Sequence, residues 1–117
     1  MADMDERLRL NYLLDFYGPL LTPHRQEVMR LYCEEDLSQQ EIAEQLDITR
    51  QGVNDAIAKS RRQLDEYEAK LGLVERYRAQ STLAERCLEA LERIHAAPED
   101  AGALEDARQA LSRIIDR

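Results

Sequence analysis

Apolar residues recur along the chain at intervals of three and four with polar residues between them, so the pattern is helical from one end to the other. Over 4–17, Leu8, Leu10, Tyr12, Leu13, Leu14, Phe16 and Tyr17 cover a broad apolar face, and Gly18-Pro19 ends this first helix. Thr22 as N-cap and Pro23 at the first helical position open a second helix, in which Val28, Leu31 and Tyr32 recur with Met29 beside them. Glu34-Glu35-Asp36 closes it badly, because negative charge is unfavourable at a helix C-terminus. Ser38 and Glu41 form the capping box of a short third helix with Ile42, Ala43 and Leu46 inward. Asp47-Ile48 makes a turn, and Thr49 caps a fourth helix with apolar positions at Val53, Ala56, Ile57, Leu64, Tyr67 and Leu71. That stripe is long for a small domain, and Gly72 is its expected stop. A fifth helix over 74–95 lines Tyr77, Ala84, Cys87, Leu88, Leu91 and Ile94 along one side, until Ala97-Pro98 breaks it. A sixth over 101–116 turns Leu104, Ala107, Leu111, Ile114 and Ile115 inward, and the last two helices pair as an antiparallel hairpin. Nothing alternates with period two, so no sheet is expected. The expectation is an all-α protein with a helix-turn-helix domain over 1–72, a long fourth helix, and a C-terminal helical hairpin over 73–117.

The stretch from Gln39 to Ala58 is the informative one. A helix-turn-helix needs a small residue where its helices cross, and Ala43 stands there, with Ile42, Leu46, Ile48, Val53 and Ile57 as the apolar residues around the crossing. The turn position often held by Gly is Asp47, which tolerates a left-handed backbone better than most residues but would set a negative charge near a phosphate backbone. Thr49, Arg50, Gln51, Asn54 and Asp55 are left on the outer face at the start of the second helix, where such motifs read base edges in the major groove. There Arg50 suits guanine, and Gln51 or Asn54 suits adenine, while Lys59, Arg61 and Arg62 suit phosphate contacts.

Charge bears on that reading. The chain carries a net −8, which opposes non-specific nucleic-acid binding. Between Ser38 and Arg62 four basic residues (Arg50, Lys59, Arg61, Arg62) balance four acidic ones (Glu41, Glu44, Asp47, Asp55), and the excess is split −4 before and −4 after. A neutral motif between acidic flanks predicts weak, salt-sensitive affinity for DNA. A helix-turn-helix used as a packing unit or a protein-binding surface fits the same residues.

Other chemistry is sparse. Cys33 and Cys87 lack metal-ligand spacing and read as reduced, half-buried thiols. His24 and His95 have no ligand pattern around them, and no nucleophile triad, phosphate-binding glycine loop or dinucleotide fingerprint is present. The acid clusters Glu34-Glu35-Asp36 and Glu99-Asp100 read as solvated helix ends. A non-enzymatic protein without metal or cofactor is expected. No apolar run approaches the roughly 20 residues of a membrane span, and the charged start does not have the pattern of a signal peptide, so a cytoplasmic location is expected. The apolar first helix and the long fourth offer more hydrophobic surface than a small domain should leave open, and a homodimer is the simplest closed solution.

The segment from Leu20 to Leu73, together with the opening Asn11-Tyr12-Leu13-Leu14-Asp15-Phe16-Tyr17, resembles the YlxM-like family of bacterial helix-turn-helix proteins. The order carries the likeness: an aromatic-ended first helix, a Leu-Thr start to the second, E-D-x-S before the short helix, then E-Y-E-x-K-L-G-L. Residues 20–64 resemble, more loosely, region 4 of bacterial sigma factors. Thr49 and Arg50 match the start of the sigma recognition helix, and Gln51-Gly52 replaces the charged run that follows it. The family resemblance implies a regulatory protein of the bacterial cytoplasm linked to the signal recognition particle pathway. Two functions are compatible with it. One is a regulator that reads DNA with the fourth helix. The other is an adaptor that binds the particle's GTPase, its receptor or their RNA without DNA binding, a role that negative helical surfaces suit when the partner is basic.

Overall fold

The computed structural model describes residues 5–116, which form six α-helices and two short 3₁₀ turns, with no strand among them. By contact the chain separates into two compact units, Met1–Val74 and Glu75–Arg117.

The first unit holds α1 (Glu6–Tyr17), α2 (Pro23–Cys33), α3 (Gln39–Leu46) and α4 (Arg50–Leu71). α4 is the central helix and packs against the other three. Leu13, Tyr17, Val28, Met29, Leu31, Ile42, Val53 and Leu64 are each no more than 2% exposed, and burying such a side chain contributes about 1.5–3 kcal/mol. Ser60 is as fully buried, on the inner face of α4 between Ile57 and Leu64. The apolar pattern skips it because it is polar.

Each helix of the first unit starts where the sequence supplies a cap. Asp5 accepts from the Arg7 N–H at 3.4 Å; the expected start at Met4 lies outside the described residues. Thr22 accepts from the Arg25 N–H at 3.3 Å, with Pro23 at the first helical position. Ser38 and Glu41 complete the capping box in both directions, at 3.1 and 2.8 Å. Thr49 Oγ1 accepts from the Gly52 N–H at 2.9 Å. These bonds satisfy N–H groups that have no partner inside the helix.

Two helix ends show detail beyond the sequence pattern. The first helix ends at Tyr17 with Gly18 as its C-cap, as Gly18-Pro19 led one to expect, and a 3₁₀ turn over Gly18–Leu20 follows at once, closed by the Leu21 N–H on the Gly18 carbonyl at 2.9 Å. Proline suits the start of such a turn, where its missing N–H is not needed. After Cys33 the acidic run is relieved by arginines: Arg30 pairs with Glu27 and Glu35, and Arg7 pairs with Asp36, which has a left-handed φ of 58°. Arg30 also holds the Glu27 carboxyl below its usual range.

The turn from α4 into α5 (Leu73–Glu92) is pinned by one tyrosine. Gly72 takes a φ of 62° and ends α4. The Tyr17 hydroxyl donates to Glu68 Oε1 at 2.6 Å and accepts from the Leu73 N–H at 3.1 Å, while the same carboxylate oxygen accepts from the Val74 N–H at 3.1 Å. Glu68 therefore places negative charge at the N-terminus of α5, the end that favours it.

The second unit contains the rest of α5 and α6 (Ala101–Ile115), joined through a 3₁₀ turn at Pro98–Asp100. The Tyr77 hydroxyl donates to the Ile115 carbonyl at 2.5 Å, so the start of α5 lies against the end of α6 and the two run antiparallel. α5 ends at Glu92, before the expected break at Ala97-Pro98, because Arg93 and Ile94 bond three residues back instead of four and tighten the helix end. Of the residues expected to point inward, Ala84 is buried; Tyr77, Leu88, Leu91, Leu104, Leu111 and Ile115 are half-buried. Cys87, Ile94, Ala107 and Ile114 are exposed, because two helices cover only one side of each other. The expectation of two half-buried thiols is likewise corrected: Cys33 is buried and Cys87 is exposed.

Candidate nucleic-acid interface

The helix-turn-helix consists of α3, the turn Asp47–Thr49 and the first half of α4. Asp47 adopts a left-handed conformation, with φ 57° and ψ 48°, and the Ile48 N–H closes the turn on the Ala43 carbonyl at 3.0 Å. This is the terminating geometry in which glycine is commonest and a short polar side chain is tolerated. Ile42, Ala43, Val53 and Ile57 are buried, and Leu46 and Ile48 pack half-buried against the same core.

The eight polar residues singled out from the sequence do not act alike. Thr49, Arg50, Gln51, Asn54 and Asp55 are all exposed. Arg50, Gln51 and Asn54 line one polar cleft of about 340 Å³. The hydroxyl oxygen of Thr49 already accepts the Gly52 N–H, so this residue's role in the structure is to cap α4. Gly52 fits closely there, since a Cβ on it would sit 3.2 Å from Thr49 Oγ1. Lys59 Nζ lies 3.1 Å from Asp55 Oδ2, one turn earlier on the helix, which locally cancels both charges.

Arg61 is turned away from the cleft. Its guanidinium lies over the Tyr32 ring at 6.0 Å, and it helps line a separate cavity with Asp5, Glu6, Arg7 and Cys33. Burial pushes the Cys33 thiol up, and the charges of Arg7 and Arg61 only partly oppose this. Arg62 is exposed, and among the described residues neither it nor Arg50 enters an ion pair. The geometry thus gathers Arg50, Gln51 and Asn54, leaves Arg62 on the outer side two to three turns on, and diverts Lys59 and Arg61.

One residue of the cleft escaped the sequence reading. Gln39, at the first position of α3, lines it beside Arg50, Gln51 and Asn54. Its position directly after the Ser38 cap was visible, but its closeness to α4 follows from how the two helices cross. The resulting surface offers amide donors and acceptors from three side chains and one guanidinium fork, a set suited to the edges of bases.

Among the described residues, no group of three or more His, Cys, Asp or Glu gathers in the manner of metal ligands, and no helix is long and apolar enough to cross a membrane.

Comparison with known proteins agrees with this architecture. Residues 4–102 match the family model described as "UPF0122: Putative helix-turn-helix protein, YlxM / p13 like". A UPF0122 protein of Geobacillus kaustophilus is 40% identical over 101 residues, covering 86% of this chain and 92% of the relative. One of Acetivibrio thermocellus is 43% identical over 114 residues, covering 97% of this chain and 94% of the relative. One of Clostridium acetobutylicum reaches 49% identity over 75 residues, covering 64% and 65% of the two chains. On these matches, and on the α3–α4 motif itself, the chain belongs to the UPF0122 family of helix-turn-helix proteins of the YlxM/p13-like type.

Proposed function

We propose that this protein is a non-catalytic regulator of the bacterial cytoplasm that contacts DNA through α3 and α4, within the protein-targeting pathway of the signal recognition particle. The observation that carries this reading is the exposed cleft of Gln39, Arg50, Gln51 and Asn54 at the N-terminal end of α4. The pathway is the one that the YlxM-like resemblance implies. With Lys59 paired to Asp55 and Arg61 over Tyr32, Arg50 and Arg62 are the motif's remaining cations, Arg50 in the cleft for a base edge and Arg62 for phosphate. Such a surface binds weakly at physiological salt, and log K falls only shallowly against log salt. The test is fluorescence anisotropy on fragments from the gene's own neighbourhood at low salt. Arg50→Ala or Asn54→Ala should reduce binding to the preferred fragment about tenfold or more, the value of one base contact, with the helical circular dichroism unchanged. Failure of every fragment to bind at low salt would remove the DNA reading.

Charge favours a second reading. Residues 1–74 carry fifteen acidic and nine basic side chains, a surface that suits a basic protein partner. In that reading the protein is an adaptor for a component of the signal recognition particle or its receptor. Tagged protein should then co-purify with that component and lose it as salt is raised, and a pull-down free of all such components would count against it.

A further inference from the structure

The second unit carries an apolar face that its own two helices leave open. α5 carries a stripe with the 4-3-4-3 spacing of a coiled-coil seam, Tyr77, Ser81, Ala84, Leu88 and Leu91, all buried or half-buried, and Tyr77 at its start bonds to the end of α6. A second stripe with the same spacing runs beside it. On α5 it is Leu83, Cys87 and Ala90, continued by Ile94 just past the helix end, and all four are exposed. On α6 it is Ala103, Ala107, Ala110 and Ile114, again all exposed. These two exposed stripes open to the same side, because Cys87, Ala90, Ala107 and Ala110 line one apolar groove of about 520 Å³. No residue of α6 is buried.

We propose that this face is the homodimer interface, on which a second copy of the chain lays its own α5 and α6 to complete a four-helix bundle. The need for a partner comes from size. Residues 75–117 form a unit too small to be stable on one helix–helix seam, and such units rely on disulfides, metals or association. Both cysteines are free thiols, and no metal-ligand cluster is present among the described residues.

The choice of a second copy comes from shape and charge. The α5 stripe is small in the middle (Cys87, Ala90) and larger at both ends (Leu83, Ile94), while the α6 stripe is small from Ala103 through Ala110 and ends on Ile114. Two such faces related by a two-fold axis can bring their middles close, near the lower end of the 8–10 Å range of helix spacings, with the larger side chains closing over the rims. The unit is also close to neutral, with nine acidic and seven basic residues, so two copies repel little, whereas the excess negative charge lies in residues 1–74. On the first helix Leu10, Leu13 and Tyr17 are buried in the first unit's core and Leu8 is exposed, so it offers a narrower apolar surface than the paired stripes of α5 and α6.

The test is sedimentation equilibrium of the full chain from about 1 to 100 μM. A dimer is expected, and Ala107→Glu or Ala110→Glu, both at positions exposed in the monomer, should shift it to monomer with at least a hundredfold weaker association. Gln109→Glu, on the same helix but off the stripe, should leave it a dimer. The helix signal at 222 nm, read on each variant at low temperature, separates loss of association from loss of folding. A wild-type chain that stays monomeric at 100 μM overturns the proposal. So does a dimer that both stripe variants leave intact, or a stripe variant that turns monomeric only by unfolding while Gln109→Glu does the same.

Discussion

Single side chains decide several properties of this molecule. Tyr17, 1% exposed, joins α1 to the α4–α5 junction through three groups: its own hydroxyl, the Glu68 carboxylate and the Leu73 N–H. Tyr17→Phe leaves that N–H and carboxylate oxygen short of a partner, at a cost of about 1–3 kcal/mol, which thermal unfolding should register as a drop of several degrees. Burial and the neighbouring Glu68 raise the Tyr17 pKa above 10.0. The folded state therefore holds the proton after the unfolded chain has begun to release it, and stability present below pH 10 falls as pH rises beyond it. Urea titrations at pH 8 and pH 11 should show a smaller alkaline loss in Tyr17→Phe than in the wild type. Ser60 presents the opposite case. Its hydroxyl is buried in the core, and among the described residues it has no hydrogen-bond partner. Ser60→Ala removes that unsatisfied group and improves helix propensity, so the melting temperature should rise, by about 0.5–1 kcal/mol in stability. A fall would mean that the hydroxyl is bonded in solution.

At the scale of elements, the helix-turn-helix is assembled from caps and one left-handed residue. α3, Gln39–Leu46, is too short to form by itself, so the Ser38–Glu41 capping box and packing under α4 maintain it. Asp47 has the required backbone conformation but brings a negative charge two residues before the Thr49 cap of the candidate reading helix. Asn adopts the same conformation without the charge. Asp47→Asn should preserve the fold, with at most about 0.3–1 kcal/mol lost from the charge–dipole interaction at the start of α4, and should tighten DNA binding several-fold in the anisotropy measurement. Weaker binding by a folded Asp47→Asn protein would show that this carboxylate takes part in recognition. The caps, the turn and the apolar positions Ile42, Ala43, Val53 and Ile57 were legible because each depends on residues within one or two turns of itself. The state of the cations was not. Lys59 has Asp55 four residues away, so that pairing could have been read from spacing, whereas the position of Arg61 over Tyr32 joins two helices.

For the whole molecule, the two units differ in how far they satisfy their own hydrophobic surface. The first encloses a core drawn from α1 to α4 and ends at Val74, itself buried. A chain of residues 1–74 should therefore unfold cooperatively, with a near-native helical signal in circular dichroism. The separated segment 75–117 should lose helicity on dilution, because its stability depends on association. A non-cooperative melt of 1–74 would show that the first unit needs the second. By itself the sequence determined the helical class, the helix order, the caps, the left-handed turn and the residues at the α3–α4 crossing, since periodicity and capping are local chemistry. Tertiary structure alone decided that Gln39 joins Arg50, Gln51 and Asn54, that Tyr17 meets Glu68 51 residues away, and that the second apolar stripe of α5 and α6 stays open. Those outcomes depend on which helix faces meet in space, and no local pattern of residues specifies the partner of a face.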